Sequence, residues 1–470
     1  MNSQSNKNFW QGDENSYDLI SLFAGAGGLD IGLENAGFTT KAINELEFHA
    51  CETLRQNKRL SVMSDGEADM WVDEQLSQRC YNKLEESERA SLREKLRKSI
   101  RAHSYLAHAV IVEGDIREVT TEELLKQSRS EKGRLTLVAG GPPCQPFSRA
   151  GKRETIETDD GKLFLEFVRI VNEARPRWFL FENVKGLAQS RTLTPYIVCA
   201  ECGLRKPHTF SERENALTGN VINCACPACA SKSTHVAIED VRGGSLEIIL
   251  NEFQALGYRC YHSILNAADY GVPQSRERLF IVGSRDGEEF EWPRQTHFER
   301  NERSNPSRSQ QLDLLLNQDA EMKPWLTVRD VLWKDGHPIF GKLDLAIAEI
   351  WVKNVVRPHA EPVSWSLDRP SPTVGAHQAA KLAIAPDGVP SEQLARQQWH
   401  TKGHRQGDLP PVDVKHAYLS DAELLALQTF PDDWYLFGTR MQRAFQIGNA
   451  VPPKLAEVVG RAIIKACKNK

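Results

Sequence analysis

The 470-residue sequence lacks any run of about 18 apolar residues, so it predicts no membrane span. It also lacks an excess of positive charge, because 59 basic and 63 acidic residues leave a net charge of −4. The chain as a whole therefore does not attract a polyanion, and any contact with nucleic acid would depend on local basic patches. The polar, acidic N-terminus does not have the pattern of a secretory signal, which leads us to expect a cytoplasmic location.

Cysteine is sparse, and its placement argues against a disulfide scaffold. The ten cysteines, several of them in CxxC pairs, suit metal binding or catalysis in a reducing compartment better. Internal repeats and long low-complexity tracts are absent as well. With 40% hydrophobic and 26% charged residues the composition is that of an ordinary globular protein. This length predicts two or three domains with a sizeable core.

A strand, a glycine-rich turn and a helix open the folded part of the chain. After a polar tail over residues 1–16, the run YDLISLFAGAGGLDIGLENAGF predicts a buried strand, the turn, and a helix that ends at Gly37. The stretch KAINE, residues 41–45, predicts a second strand that ends in a carboxylate. These elements together indicate a βαβ unit.

Further apolar stretches predict a largely parallel sheet with helices on both faces. The strand candidates AVIVEGD, LTLVAGG, WFLFENV and RLFIVGS alternate with helical stretches such as LFLEFVRIVNEA. After Arg285 the periodicity weakens, and Pro, Asn, Gln, His and Trp become frequent, which favours a second, irregular domain. We therefore expect a first domain over residues 17–284, a second over 285–430, and a returning segment over 431–470. Inside the first domain we expect a solvent-exposed helical insertion over 58–107 and a Cys-rich insertion over 190–240.

The glycine-rich turn and two carboxylates are candidates for a nucleotide site. The turn FAGAGG, residues 23–28, would let the backbone approach a ligand closely at the start of a helix. Turns of this kind serve many cofactors. Glu45 is placed to accept hydrogen bonds from ribose hydroxyls, and Asp115 could read an adenine amino group. A solvated loop carboxylate is the alternative for each of them.

The segment GGPPCQPFS, residues 140–148, holds the strongest candidate for a nucleophile. It places Cys144 between prolines just past a buried strand, at the edge where open sheets bind ligands. Proline fixes φ and would hold the thiol rigidly in that pocket. A free thiol with a pKa of about 8.5 is only slightly ionised at neutral pH, so a nucleophilic role requires activation by its surroundings. The alternative is an inert buried cysteine.

Six motifs resemble those of the DNA cytosine-5 methyltransferase family, and they occur in the family's order. They are FAGAGG at 23–28, GGPPCQPFS at 140–148, ENV at 182–184, QSRERLFIVG at 274–283, RPSPTV at 369–374 and QIGNAVP at 446–452. Any one of them could arise by chance, whereas six in order could not. The resemblance implies a Rossmann-like α/β catalytic domain that uses S-adenosylmethionine, and a smaller target-recognition domain.

The resemblance also implies roles for four catalytic candidates. Cytosine C5 is too weak a nucleophile to attack a methyl sulfonium, and in the family a thiolate adds at C6 to create an enamine whose C5 can. Cys144 fits that role, and Glu182 would hydrogen-bond N3 and the exocyclic amine as charge develops. Arg276 and Arg278, expected on one face of a strand, would fix the base oxygen or a phosphate and orient Glu182. The alternatives are a strand-end salt bridge for Glu182 and a surface ion-pair ladder for the arginines.

Substrate contacts follow from where the reaction takes place. Because C6 is buried in a duplex, the target nucleotide must be flipped out. The polar segment SRAGKRETIETDDGK after the nucleophile is suited to closing over the DNA, although an ordinary surface loop is the alternative. Gln145, Ser148 and Arg149 are the candidates to touch the base or fill its vacated place.

A set of cofactor positions is implied by the resemblance as well. The family pattern puts Phe23 on the adenine, Glu45 on the ribose and Pro143 near the methionine part. The full set is Phe23, Ala24, Gly25, Gly27, Glu45, Asp115, Ile116, Pro143, Leu163, Asn449 and Val451.

Two CxxC pairs predict a structural zinc site in the Cys-rich insertion. CAEC and CACPAC are suitably spaced for four thiolate ligands, namely Cys199, Cys202, Cys226 and Cys229. Cys224 or His208 could replace one of them, and unligated thiols in a reduced loop are the alternative. The insertion could add a surface for DNA or for a partner.

We expect duplex DNA as the substrate, a restriction nuclease or other defence protein as a candidate partner, and no membrane association. Two rivals stay open, namely the same chemistry on RNA and an inactive DNA-binding regulator. The separate recognition region favours DNA, and retention of all four catalytic candidates argues against an inactive regulator. A nicotinamide oxidoreductase would explain only the glycine turn. The segment before the last motif departs from the family at Asp421 and Ala422, where arginine and glutamate are common.

Overall fold

The computed structural model describes residues 17–77, 85–143, 159–217, 225–299, 322–334, 337–338, 348–352, 363–376, 383–386 and 417–469. The strands are β1 (Tyr17–Leu22), β2 (Phe38–Glu45), β3 (Val110–Glu113), β4 (Leu137–Gly140), β5 (Trp178–Val184), β6 (Arg191–Cys199), β7 (Arg205–Pro207), β8 (Thr234–Arg242), β9 (Arg259–Asn266), β10 (Glu277–Ser284), β11 (His297–Phe298), β12 (Lys323–Pro324), β13 (Trp333–Lys334), β14 (His337–Pro338), β15 (Ala348–Val352), β16 (Val363–Ser366), β17 (Ala383–Pro386) and β18 (Ala417–Tyr418).

The helices are α1 (Gly28–Ala36), α2 (Phe48–Ser61), α3 (Asp65–Leu76), α4 (Glu86–Ala102), α5 (Thr121–Gln127), α6 (Asp159–Ala174), α7 (Phe210–Leu217), α8 (Gly244–Ala255), α9 (Val328–Leu332), α10 (Asp421–Leu427), α11 (Arg440–Asn449) and α12 (Pro453–Lys468), with 3₁₀ turns at Lys185–Gln189 and Ala267–Tyr270. Among these described helices, none combines the length and the apolar character needed to cross a membrane.

Seven of the described strands form one sheet in the order β3-β2-β1-β4-β5-β10-β9. The strands β1 to β5 pair in parallel, whereas β10 is antiparallel to both of its neighbours. The strand order reverses between β1 and β4, so their carboxyl ends form the crevice where open α/β sheets bind ligands. The predicted α/β fold with a largely parallel sheet is confirmed, while β9 and the antiparallel course of β10 were not predicted.

Both faces of this sheet are buried. In β1, Leu19 lies in the apolar cluster on one face and Ile20 in the cluster on the other, and Leu180 and Phe181 of β5 divide in the same way. Helices α1 and α12 cover the first face, and α5, α6 and α8 cover the second. Burial on both sides explains why these strands are continuous apolar runs in the sequence rather than alternating patterns.

The C-terminal helix α12 packs on α1 at very short range. A Cβ at Gly32 would lie 2.3 Å from the carbonyl oxygen of Pro453 and 2.4 Å from the Cβ of Ala456. A Cβ at Gly460 would lie 2.8 Å from the Cβ of Ala36. Glycine at both positions therefore permits the contact, which brings the end of the chain back to the first helix of the sheet.

Helices α3 and α4 form a pair beyond α2. Three ion pairs connect them as a ladder, Arg93 with Asp73 at 2.6 Å, Arg97 with Asp69 at 2.6 Å, and Arg101 with Asp65 at 3.1 Å. The pair also has a small apolar core, formed by Leu60, Ala68, Val72, Leu76 and Ile100. The pair lies within residues 58–107, and it is exposed on its charged side and buried on the other.

Strands β6, β7 and β8 form a second, antiparallel sheet in the order β7-β6-β8. The chain enters this small sheet after the 3₁₀ turn that follows β5, and it returns to the large sheet through α8. Buried hydroxyl groups hold it against α8, because Ser245 Oγ lies 2.6 Å from Thr192 Oγ1 and 3.0 Å from Ser190 Oγ. A Cβ at Gly244 would lie 2.3 Å from Thr194 Oγ1, so the contact depends on that glycine.

The region after β10 contains short strands with irregular connections. β16, β15, β17 and β18 form a four-stranded antiparallel sheet in that order, and β11–β12 and β13–β14 form two small pairs. Parts of this region pack on the large sheet's domain. Val328, Leu332, Leu367 and Val374 share an apolar cluster with Ala26 of the glycine-rich turn.

Candidate active site

The glycine-rich turn lies at the carboxyl end of β1, beside the reversal point of the sheet. Phe23, Gly25 and Gly27 all have positive φ angles, 55°, 54° and 81°. A Cβ at Gly27 would lie 3.0 Å from the side chain of Leu54, and α1 begins directly afterwards. The turn therefore presents bare backbone at a helix start, which fits a ligand that needs close approach and N–H donors.

Glu45 ends β2 and braces this turn. Its Oε2 accepts a hydrogen bond from the Gly25 N–H at 2.7 Å, and its Oε1 accepts from the N–H groups of Leu46 and Glu47 at 2.9 and 2.8 Å. Burial raises the pKa of this carboxyl, and the three N–H donors oppose that rise. The residue predicted to bind ribose is therefore fixed in place by backbone donors next to the turn.

Asp115 lies two residues beyond β3 and is held by a neighbour. The Arg117 Nε lies 2.9 and 3.0 Å from its two oxygens, and the Arg117 N–H donates at 3.0 Å. The arginine lowers the pKa of Asp115, so the carboxylate stays charged. Sequence reasoning missed Arg117, although its position two residues after Asp115 was a local signal.

The other predicted cofactor residues are arranged around the same edge. Ile116 lies inside an apolar cluster, and Phe23 and Leu163 are partly buried against that same cluster. Ala24 is half-buried in the turn. Three apolar side chains that are far apart in sequence thus share one cluster next to the turn.

The end of the chain closes the opposite side of the turn. Val451 is buried, and a Cβ at Gly28 would lie 2.3 Å from the Val451 carbonyl oxygen. Asn449 is exposed at the end of α11, and Pro143 is exposed after β4. The C-terminal motif therefore contacts the first motif directly.

Glu182 lies near the end of β5, beside the strand that leads to the predicted nucleophile. A Cβ at Gly141 would lie 2.6 Å from Glu182 Oε2, so any other residue there would have to displace the carboxyl group from this position. Arg278 Nε contacts Glu182 Oε1 at 3.0 Å from the adjacent strand β10. Burial raises the pKa of Glu182, whereas the charges of Arg278 and Arg276 lower it.

Asn183, the middle residue of the ENV motif, was missed by the sequence reasoning. It is buried, and its Nδ2 donates to the Pro142 carbonyl oxygen at 3.2 Å. Its Oδ1 accepts from the N–H of Val184 at 2.9 Å. Asn183 therefore ties the start of the proline-rich loop to the strand that carries Glu182. Its place inside a recognised motif was the available signal.

The predicted nucleophile Cys144 lies outside the described residues, as do Gln145, Ser148 and Arg149. The described chain reaches Pro143, the residue just before Cys144.

Arg276 and Arg278 occupy different environments. β10 begins at Glu277, so Arg276 lies one residue before the strand and Arg278 lies within it. Arg276 is fully buried, and its two terminal nitrogens donate to the carbonyl oxygens of Val374 and Gly448, each at 2.9 Å. Arg278 contacts Glu182 by an ion pair at 3.0 Å, and the charge of Arg276 also acts on Glu182.

The four cysteines predicted as metal ligands come together at the end of the small sheet. Their sulfur atoms all lie within 4.8 Å of one another. The closest pairs are Cys199 with Cys229 at 3.7 Å and Cys202 with Cys226 at 3.5 Å.

Two turns with the same hydrogen bonds form this cluster. In the first, Gly203 N–H donates to Cys199 O at 3.1 Å and Cys199 N–H donates to Leu204 O at 2.9 Å. In the second, Ala230 N–H donates to Cys226 O and Cys226 N–H donates to the carbonyl of the residue after Ala230, both at 2.8 Å. Gly203 and Ala230 both have positive φ. This repeated geometry suits tetrahedral thiolate coordination.

The two alternative ligands are placed differently. His208 is buried and lies 3.6 Å from a Glu212 oxygen, outside the group of four sulfurs. Cys224 lies outside the described residues.

The chain matches the family described as C-5 cytosine-specific DNA methylase over residues 17–77, 97–198 and 237–465, and it belongs to that family. The internal gaps in the match coincide with part of the helical insertion and with the cysteine turns. The predicted family and the predicted enzyme class, DNA (cytosine-5-)-methyltransferase, are confirmed.

Several curated relatives span most of the chain. Type II methyltransferase M.AquIA of Picosynechococcus sp. is 31% identical over 67% of this chain and 87% of its own length. Type II methyltransferase M1.HphI of Haemophilus parahaemolyticus is 26% identical over 97% of this chain and 88% of its own. Type II methyltransferase M.Eco47II of Escherichia coli is 27% identical over 96% of this chain and 79% of its own.

Proposed function

We propose that this chain methylates C5 of a cytosine flipped out of duplex DNA, with Cys144 as the nucleophile that adds at C6. The observation that carries the proposal is the buried Glu182 carboxyl, which Arg278 holds directly beside Gly141. Cys144 follows Gly141 by three residues, and three residues span at most about 10 Å. The described chain thus leads from Gly141, beside Glu182, to Pro143, the residue before Cys144.

Glu182 would act as the proton donor to the ring. Burial favours its neutral form and Arg278 favours its charged form, so the pKa is set by two opposing effects. As the sulfur lone pair forms the bond to C6, electron density moves toward N3 and C5, and a proton from Glu182 neutralises N3. Arg278 fixes the carboxyl in one orientation during this step.

The remaining steps restore the base. C5 would form its bond to the methyl carbon as the bond from that carbon to the sulfonium sulfur breaks, with the electron pair left on the sulfur. N3 would return its proton to Glu182, a solvent base would remove the C5 proton, and the bond between Cys144 and C6 would break. The electron pair of the lost C–H bond re-forms the C5–C6 double bond, and the sulfur leaves as thiolate. Cys144 is therefore regenerated in each turnover.

The residues around the glycine-rich turn would hold S-adenosylmethionine, which supplies an electrophilic methyl group on a sulfonium. The bare backbone of Gly25 and Gly27 fits the amino-acid part. Glu45 lies where ribose hydroxyls can donate to it, and Asp115, kept charged by Arg117, can accept from an adenine amino group. The apolar side chains near the turn would cover the adenine.

Methyl transfer to defined substrates tests this proposal. The wild-type protein should label a pool of duplex DNA at C5 of cytosine, whereas Cys144→Ser should lose at least roughly a thousandfold in rate. Affinity for S-adenosylmethionine should stay the same in the variant, and Cys260→Ser, on β9, is the matched control with normal turnover. Transfer retained by Cys144→Ser would sink the mechanism. Labelling of RNA alone would favour the RNA rival, and no transfer to either would favour an inactive reader.

We also propose that Cys199, Cys202, Cys226 and Cys229 bind a structural zinc ion. Four sulfurs within 4.8 Å of one another, presented by two turns of the same geometry, support a closed tetrahedral site. A zinc ion there would link β6 to the segment before β8 and so fix the open end of the small sheet. Metal analysis of the purified protein should find one zinc per chain, and its absence would remove the claim.

We further propose that the modification protects DNA from a companion nuclease. The relatives named above are Type II methyltransferases, and this name is the support for the context. DNA modified by this chain should resist Type II nucleases that recognise the methylated sequence. Unchanged cleavage of modified DNA by each such nuclease would refute the protective role.

A further inference from the structure

Two polar side chains just before β10 are fully buried and bind backbone atoms of distant segments. They are Gln274 and Arg276, here called the latch. Gln274 Oε1 accepts from the Val374 N–H at 3.0 Å, and its Nε2 donates to the Leu427 carbonyl oxygen at 3.3 Å. Arg276 donates to the carbonyl oxygens of Val374 and Gly448, each at 2.9 Å.

The segment around Val374 is joined to the latch by backbone as well. Ser275 N–H donates to Ser371 O and Ser371 N–H donates to Pro273 O, both at 2.8 Å. Thr373 Oγ1 donates to the Ser275 carbonyl oxygen at 2.8 Å. The recognition side of the chain is therefore docked on the strand that carries Arg278.

The cofactor side of the chain reaches the same point. Gly448 is the penultimate residue of α11, and Asn449 and Val451 follow it at the predicted cofactor pocket. A Cβ at Gly448 would lie 2.3 Å from the Ala376 backbone nitrogen. The segment after Val374 thus passes directly over the end of α11.

We propose that Arg276 is a positioning residue that couples the recognition segment and the cofactor pocket to the acid Glu182. This proposal rests on the methylation of DNA proposed above. Each terminal nitrogen of Arg276 holds one segment, and Arg278, two residues further on, holds the Glu182 carboxyl. Loss of the guanidinium would leave buried carbonyl groups without a donor, so the segments would separate or shift.

Three variants test the coupling. In Arg276→Lys one compact ammonium group replaces the two terminal nitrogens of the guanidinium, so it cannot bind both carbonyl groups. We expect the Kd for S-adenosylmethionine and the KM for DNA each to rise about fivefold or more. The kcat should stay within roughly threefold of wild type. Gln274→Met loses only the contacts to Val374 and Leu427, so the KM for DNA should rise while the Kd for S-adenosylmethionine stays within about twofold.

Arg177→Lys is the matched control. Arg177 also donates to a backbone carbonyl, that of Cys467 at 3.0 Å, and it pairs with Glu288 on the far side of the sheet. The Arg177→Lys substitution should lower the Tm without changing the Kd for S-adenosylmethionine or the KM for DNA. If Arg276→Lys fails to fold, Thr373→Val, which loses one hydrogen bond at a half-buried position, should raise the KM for DNA by itself.

Two results would overturn the proposal. The first is a fall in kcat for Arg276→Lys with both constants unchanged, which would mean that the guanidinium contacts the reacting base. The second is a loss of Tm with normal kinetics, which would make it a plain structural residue. Binding of S-adenosylmethionine is measured without DNA. The effect of Arg276 on the cofactor pocket is therefore tested even if the wild-type chain methylates no DNA and the proposed function fails.

Discussion

The carboxyl edge of the large sheet and the cysteine cluster of the small sheet hold reactive side chains by different means. At the edge, Glu182 and Arg278 come from strands that are nearly a hundred residues apart, and burial and the ion pair act in opposite directions on the pKa of Glu182. In the cluster, two local turns with the same hydrogen bonds present four thiols. The first arrangement is a product of the whole fold, and the second of short-range geometry.

Because of this difference, mutations in the two regions should have different effects on activity and on stability. A change at the edge should alter the reaction with little effect on folding, because the residues there are positioned by strands that many other contacts hold. A change in the cluster should alter local stability with little effect on the reaction, because the cysteines belong to a separate sheet that packs on α8. The predictions below test this separation.

The largest effect is expected for Glu182→Gln. The amide keeps the shape of the side chain but cannot deliver a proton, so kcat should fall by about 10²–10⁴-fold. The Tm and the affinity for S-adenosylmethionine should stay close to wild type. Glu277→Gln is the matched control, because Glu277 lies on the neighbouring strand and is paired with exposed Lys185. Near-normal turnover by Glu182→Gln would contradict the role of the acid.

A buried carboxyl in helix α1, separate from the pair at the edge, should affect stability through pH. Asp30 in α1 is fully buried, and burial raises its pKa to about 7. The folded chain therefore keeps a proton that the unfolded chain releases above a pH of about 4, and this contribution to stability is lost as the pH rises toward 7.

Asp30→Asn removes this titration. We compare the free energies of unfolding of the variant and the wild type. As the pH rises from 5 to 8, the difference between them should change by about 2–3 kcal/mol in favour of the variant. Urea unfolding of the two proteins at both pH values measures the difference. A wild-type stability that is parallel to that of the variant across this range would show that Asp30 does not titrate there.

The cysteine cluster should show the opposite separation. Cys229→Ser removes one thiolate from the proposed zinc site and should lower stability by roughly 2 kcal/mol, a Tm loss of about 5 °C, while kcat stays within about twofold. Treatment of the wild type with a strong chelator should reproduce the loss, and should add nothing to the variant. Loss of methyl transfer in proportion to bound zinc would break the separation and place the insertion in the active site.

The smallest effect is expected in the pH profile of Arg278→Met. The positive charge of Arg278 lowers the pKa of Glu182, so its removal should raise that pKa and move the basic limb of the kcat profile upward by about 1 pH unit. The absolute rate should also fall, because the carboxyl loses its fixed orientation. Lys185→Met, which removes an exposed charge nearby, should leave the limb in place. An unmoved limb in Arg278→Met would mean that Glu182 does not govern it.

The sequence predicted those features that depend on local spacing. The turn before α1, the carboxylate at the end of β2 and the four thiols each depend on residues close together in the chain or on a recognised motif. The two cysteine turns could be anticipated because CxxC fixes the distance between its own sulfurs. Most strands of the large sheet were predicted because their apolar runs are long.

The features that were missed depend on long-range packing. Strand β9, RCYHSILN, lies at the edge of the sheet and has neither a long apolar run nor a regular alternation, so its sequence alone does not identify a strand or its partner. The contacts of Arg276 with Val374 and Gly448 were not predicted, because nothing local in the sequence shows that these segments meet it. Asn183 was overlooked since its partner, Pro142, lies 41 residues away. In each case the missing information was the identity of the partner rather than the chemistry of the side chain.

The central claim, that Cys144 attacks C6 of a cytosine presented to Glu182, is tested most directly by covalent trapping. Duplex DNA that carries 5-fluorocytosine should form a stable adduct. A base can remove a proton from C5, but it cannot remove fluorine as a cation, so the final elimination does not occur. We expect a crosslink that forms only when S-adenosylmethionine is present, and peptide mass mapping should locate it at Cys144. A crosslink at another residue, or none on DNA that the enzyme methylates when fluorine is absent, would contradict the account.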